Sequence, residues 1–165
     1  NPMACCIGQI RDNNLIIFDE IQIYNANTND MIDEIKRRYG VRNIVIYPDP
    51  ASRQRKTSAG GFTDLSLLRN AGFEVKVRAT HPQVRDRINA VNSKLKNANG
   101  VSSLFMTKSC KNLIKSLERQ IYKEGTHIPD KDSGHDHMAD AIGYLVEYVF
   151  PLRRDFKPSE PTRWS

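Results

Sequence analysis

Residues 3–23, MACCIGQIRDNNLIIFDEIQI, hold two apolar runs on either side of Asp12-Asn13-Asn14. Met3 to Ile10 is apolar enough for a buried strand, and Leu15 to Ile23 for a second. Asp and Asn tolerate the backbone of a tight turn, so the spacing predicts an antiparallel hairpin with about three turn residues. Downstream, Asn27 to Asp30 offers N-caps for a helix that carries Met31, Ile32 and Ile35 inward and stops near Tyr39, before Gly40.

The next decisive stretch is 41–50, VRNIVIYPDP. Its run Ile44-Val45-Ile46 predicts a third strand over 41–47, buried on both faces. Pro48 and Pro50 end it, because proline removes a ladder donor and restricts the residue before it. Beyond it, the spacing predicts a helix over 63–71, a strand over 73–78 and a helix over 82–96. The last of these has Val84, Ile88, Val91 and Leu95 as its inner stripe. A short strand over 101–106, a helix over 110–122 and a last helix from about 134 to 150 follow. The tail 151–165 contains Pro151, Pro158 and Pro161 with little periodicity, and is expected to be extended or disordered. A hairpin, then alternating helix and strand, then helices, predicts an α/β layout with a mixed central sheet flanked by helices.

The 165 residues suit a single domain. With 39% apolar and 27% charged residues the composition is globular. No apolar run approaches the roughly 18 residues a membrane span needs, and no signal peptide is visible, so no membrane partner is expected. Three cysteines, two of them adjacent, argue for reduced thiols. The net charge of +6 favours a polyanionic partner. Basic residues gather at Lys36-Arg37-Arg38, at Arg53, Arg55 and Lys56, at Arg85 and Arg87, and at Arg153-Arg154. Each cluster alone is equally a solvated face; together they point to nucleic acid.

Asp49 stands where the third strand ends, the place where ligands sit in open α/β sheets. A turn aspartate in Pro-Asp-Pro is the alternative. In the last helix, Asp136 and Asp140 are i and i+4 neighbours, and His137 and Asp140 are i and i+3. Three potential ligands thus share one turn, where two carboxylates repel each other unless a cation lies between them. Oxygen donors with one imidazole suit Mg²⁺ or Mn²⁺. Helix capping would account for one of these acids, not the set. Asp19-Glu20, at the end of the second strand, is a weaker candidate pair. The chain has no phosphate-binding G-x-x-x-x-G-K-[ST] loop, no C-x-x-C pair and no recognisable Ser-His-Asp arrangement.

Four motifs occur in order: Asn1-Pro2-Met3-Ala4, Tyr47-Pro48-Asp49-Pro50-Ala51, Asp86-Arg87-Ile88-Asn89-Ala90-Val91-Asn92, and His137-Met138-Ala139-Asp140-Ala141-Ile142-Gly143-Tyr144. Together they resemble the C-terminal nuclease domain of the large terminase subunit of tailed bacteriophages, the DNA-packaging motor, over residues 1–150. The resemblance implies a ribonuclease H-like fold and an endonuclease that cuts concatemeric double-stranded viral DNA with two divalent ions, Mg²⁺ or Mn²⁺. It implies Asp49, Asp140, His137 and Asp136 as metal ligands; Glu20, from the weaker pair at the end of the second strand, is a further catalytic candidate on position alone. A first acid and an ATPase domain would lie upstream of Asn1. Arg53, Arg55 and Lys56, after Asp49, and Arg87 would contact DNA phosphates. Implied partners are the portal protein and the small terminase subunit, and the implied location is the procapsid portal in the cytoplasm of an infected bacterial host. A Holliday-junction resolvase or integrase-like nuclease shares the fold and metal chemistry. A non-catalytic DNA-binding module shares the fold but has no reason to gather acids near phosphates.

Overall fold

The computed structural model describes residues 2–54, 62–126, 129–130 and 134–152. The expected tail from 153 onward, and Arg55 and Lys56, lie outside them. The hairpin is β1 (Met3–Arg11) and β2 (Asn14–Ile23). Its turn is tighter than expected: Asn14 already pairs with Arg11, leaving only Asp12 and Asn13 between the strands. Both have positive φ, 48° and 65°, as a two-residue turn that follows the strand twist requires.

The hairpin carries a bulge. Ile7 pairs with Asp19 but Gly8 pairs with Ile17, so Phe18 is one residue too many. Side chains alternate faces along a strand, and the extra residue reverses the alternation. Leu15 and Ile17 therefore enter one core with Ala4 and Cys6, while Ile21 enters the other with Met3, Cys5 and Ile7. Gly8 sits opposite the bulge, where an added Cβ would lie 2.6 Å from Ile17 Cδ1 and 2.8 Å from the Ile16 carbonyl oxygen. Only glycine fits there without moving backbone.

The first core lies under α1 (Thr28–Tyr39) and α2 (Asp64–Asn70), and takes in Met31, Ile32, Ile35, Leu68 and Phe73. Asn27 and Asp30 close a reciprocal capping box at the start of α1. The Thr28 hydroxyl donates to Asp64 Oδ1 at 2.6 Å and ties the two helices together. The second core lies under α3 (Val84–Leu95), α4 (Lys111–Arg119) and α5 (Asp136–Val149), with Ala90, Val91, Leu113, Met138, Ile142 and Val146 buried. Helices thus cover both faces of the hairpin.

β5 (Leu104–Met106) runs parallel to β2, so the three-stranded ladder β1-β2-β5 is mixed, as expected. The third strand is a correction. Only Val45–Ile46 (β3) and Glu74–Val75 (β4) are extended, and they form a separate parallel pair. Asn43, at φ 62°, takes a left-handed turn that no strand accommodates, and so cuts the expected 41–47 run short. Ile44, Ile46 and Val75 still pack on the α1/α2 core beside β1. β1 is an edge of its ladder, and no strand among the described residues covers its open side.

The inner stripe of α3 is a second correction. Val84 is 39% exposed, whereas Arg87, Ala90 and Val91 are buried. The helix is rolled so that a charged residue faces inward, which periodicity of apolar residues cannot anticipate. The three cysteines are free thiols. No described helix is long and apolar enough to cross a membrane.

Candidate active site

β3 delivers Tyr47, Pro48 and Asp49 to the carboxyl end of the β3–β4 pair. Asp49 Oδ1 accepts the Ala51 N–H at 2.8 Å, capping the 3₁₀ turn Pro50–Arg53. The turn-aspartate reading is therefore correct as geometry, yet the cap engages one oxygen only. His81 Nδ1 lies 3.5 Å from the same oxygen. The Asp49 side chain remains 44% exposed. Tyr47, two residues before Asp49, packs its ring on Tyr148 of α5, with centroids 5.2 Å apart.

Tyr144 lies one turn earlier on the same helix. Burial pushes its phenol well above the usual range, Arg87 pulls against this, and the Asp49 and Asp140 carboxylates add to the rise. The phenol therefore keeps its proton and remains a donor. One turn before it, Asp140 Oδ1 accepts from Arg87 Nη1 at 2.7 Å. The Arg87 guanidinium lies over the Tyr144 ring, 4.2 Å from its centroid. Arg87, Asp140 and Tyr144 thus form one connected group across α3 and α5, and the Tyr47–Tyr148 contact sets the end of β3 against the same helix.

Asp136 and His137 occupy the first turn of α5. Asp136 is buried, and its Oδ1 has no hydrogen-bond partner among the described residues. His137 Nε2 stands 3.7 Å from that atom. Asp136 and Asp140 both line a cavity of about 180 Å³ between α3, α4 and α5, with Arg87, Leu117 and Gln120 on its other walls. The Ser116 hydroxyl donates to the His135 carbonyl and accepts the Ala139 N–H at 3.0 Å, fixing the start of α5 to α4.

Three of the expected site residues make other contacts. Glu20 accepts from the backbone N–H groups of Asn112 and Leu113, at 2.8 and 2.7 Å, and from Asn112 Nδ2. It caps the N-terminus of α4, where orphan donors and the helix dipole favour a carboxylate. Glu20→Ala is expected to lower stability by about 1–2 kcal/mol in urea unfolding and to leave divalent-ion affinity unchanged. Arg87 was expected on DNA, but its side chain is only 8% exposed and its charge is committed to Asp140. Arg53 donates to the Val77 and Arg78 carbonyls, at 3.4 and 2.8 Å, and so pins the segment after β4.

The oxygen-rich donor set suits a hard divalent cation, and the orphaned Asp136 oxygen is a natural ligand. Among the described residues, however, no three acid, histidine or cysteine side chains come close enough to hold a metal. The set is incomplete as it stands. Sequence reading overlooked Tyr144 and His81. Tyr144 closes the His137-to-Tyr144 motif at i+4 from Asp140, a spacing that signals a shared face; His81 carries no such signal.

A family model described as the terminase RNaseH-like domain matches residues 1–148. The structure is similar to the large terminase of a thermophilic bacteriophage in complex with ATP-γ-S, with a TM-score of 0.64 and 17% identity over 89% of this chain and 36% of that one. The ADP complex of the same phage's terminase gives 0.61 and 15%, over 90% of this chain and 39% of that one. The chain spans under two fifths of the length of those terminases. None of the individually curated proteins matches it. An α/β fold with a mixed sheet, an N-terminal antiparallel hairpin and helices on both faces agrees with what the family description names. The chain belongs to the terminase RNaseH-like domain family.

Proposed function

We propose that this chain is the nuclease domain of a phage DNA-packaging motor, residues 1–150, and hydrolyses phosphodiester bonds of concatemeric double-stranded viral DNA. The observation that carries this reading is the Tyr47–Tyr148 ring contact, which sets the strand end bearing Asp49 against the helix bearing Asp140, within a terminase-family fold. Acids on both sides of that contact would ill suit a pure binding surface, because carboxylates repel phosphates.

In this reading Asp49 and Asp140 are ligands of two Mg²⁺ or Mn²⁺ ions, and Asp136 or His137 completes the α5 side. A first acid from upstream of Asn1 supplies the missing donor. The open edge of β1 supports a place for an upstream strand. When bound, the ions supply an activated water and neutralise charge developing on the leaving oxygen. The chain's own groups orient: Ala51 N–H holds one Asp49 oxygen, Arg87 holds one Asp140 oxygen, and the Tyr47–Tyr148 contact holds the strand end against the helix that carries Asp140. Arg53, with Arg55 and Lys56 after it, positions the duplex by its phosphates. The ATPase domain upstream, the portal protein and the small terminase subunit are its partners at the procapsid portal in the host cytoplasm.

Plasmid nicking by the full-length polypeptide is the test. Nicking should require Mg²⁺ or Mn²⁺ and stop on adding EDTA. Cleavage that persists in chelator overturns the metal assignment.

A further inference from the structure

Several of the described basic residues are paired with acids in the fold. Arg37 and Arg38 pair with Glu34, and Arg38 also with Asp19. Lys76 pairs with Glu74, Arg78 with Glu147 and Arg87 with Asp140. α4 is different. Lys111, Lys115 and Arg119 recur every fourth residue and are exposed, and Lys108 precedes them on the same approach. None of the four has an acidic partner among the described residues. The opposite face of α4, Leu113 and Ser116, is buried against the core and α5.

We propose that the outer face of α4 is a phosphate-binding ridge for duplex DNA; this rests on the nuclease reading above. Residues eight apart on a helix span about 12 Å, and one DNA strand presents a phosphate about every 3.4 Å of axis, so the three charges of the ridge face about four phosphates of one strand. Lysine and arginine at these positions make point-charge contacts that track backbone without reading bases. The cavity holding Asp136 and Asp140 lies on the inner side of the same segment, where Leu117 and Gln120 form its wall. A duplex lying along the outer face of α4 is separated from that cavity by about the width of one helix, about 10 Å. An acidic protein surface is the competing occupant.

The test is equilibrium binding of a fluorescent duplex of about 30 bp by the full-length polypeptide in EDTA, over a salt series. Lys111→Gln with Lys115→Gln and Arg119→Gln should weaken binding by about tenfold or more. It should also make the slope of log affinity against log salt shallower by about 2–3. Lys115→Gln alone should reduce the slope by about 1. Arg42→Gln with Arg69→Gln and Lys96→Gln removes the same charge from exposed positions away from α4, and should keep affinity within about threefold. Equal losses in the two triple variants, or an unchanged slope in the α4 triple, overturn the ridge while leaving the nuclease reading intact. Absence of duplex binding by the unmodified protein overturns both. An α4 triple that binds duplex normally but loses a portal or small-subunit contact overturns the ridge and assigns the face to a protein instead.

Discussion

Arg87→Ala is expected to destabilise the fold by about 3 kcal/mol, lowering the thermal midpoint by about 6–10 °C. The side chain is 8% exposed and Asp140 is 33% exposed, so removal strands a partly desolvated carboxylate and leaves a gap under the Tyr144 ring. Breaking one side of such a pair costs more than removing both. Arg87→Met combined with Asp140→Asn should therefore recover much of the loss, and a double-mutant cycle should give a coupling of about 1–2 kcal/mol. A phosphate-contacting surface arginine would behave otherwise: little change in stability, a shallower salt slope for DNA and no coupling to Asp140. Thermal unfolding of the cycle's proteins decides between the two roles.

Asp49→Asn in the full-length polypeptide is expected to reduce plasmid cleavage by orders of magnitude while preserving the fold. Asparagine keeps the oxygen that accepts the Ala51 N–H, so the 3₁₀ turn retains its cap. What is lost is the negative charge of a proposed shared ligand, on which both ions depend. DNA retention should hold or rise slightly, since a negative charge near the phosphates is gone. Cleavage at the normal rate, accompanied by a lowered midpoint, would make Asp49 a turn residue only.

Much of the layout was legible because it rests on local chemistry. Asp12 and Asn13 tolerate positive φ, so the hairpin could be placed; Asn27 and Gly40 mark the ends of α1. The bulge was not legible. Leu15, Ile16, Ile17 and Phe18 are apolar at both parities, so nothing in the pattern reveals that the faces exchange after Ile17. The roll of α3 was hidden for a related reason: Arg87 is inward because Asp140, 53 residues away, receives it. The same long-range logic removed Glu20 from the site, since its partners are the first amides of α4. Asp49 and Asp140 could be proposed as site residues because a strand end and a helical i, i+4 spacing are local signals. The Tyr47–Tyr148 contact that sets α5 against the end of β3 depends on the tertiary fold, which no local pattern discloses.

The most direct measurement is anomalous scattering from crystals of the full-length polypeptide soaked in Mn²⁺. The expected result is manganese between the Asp49 and Asp140 carboxylates, with an Asp136 or His137 ligand on the α5 side and an upstream acid completing the set. Manganese bound only elsewhere, with Asp140 still held by Arg87 alone and Asp49 by the Ala51 amide alone, would contradict the site.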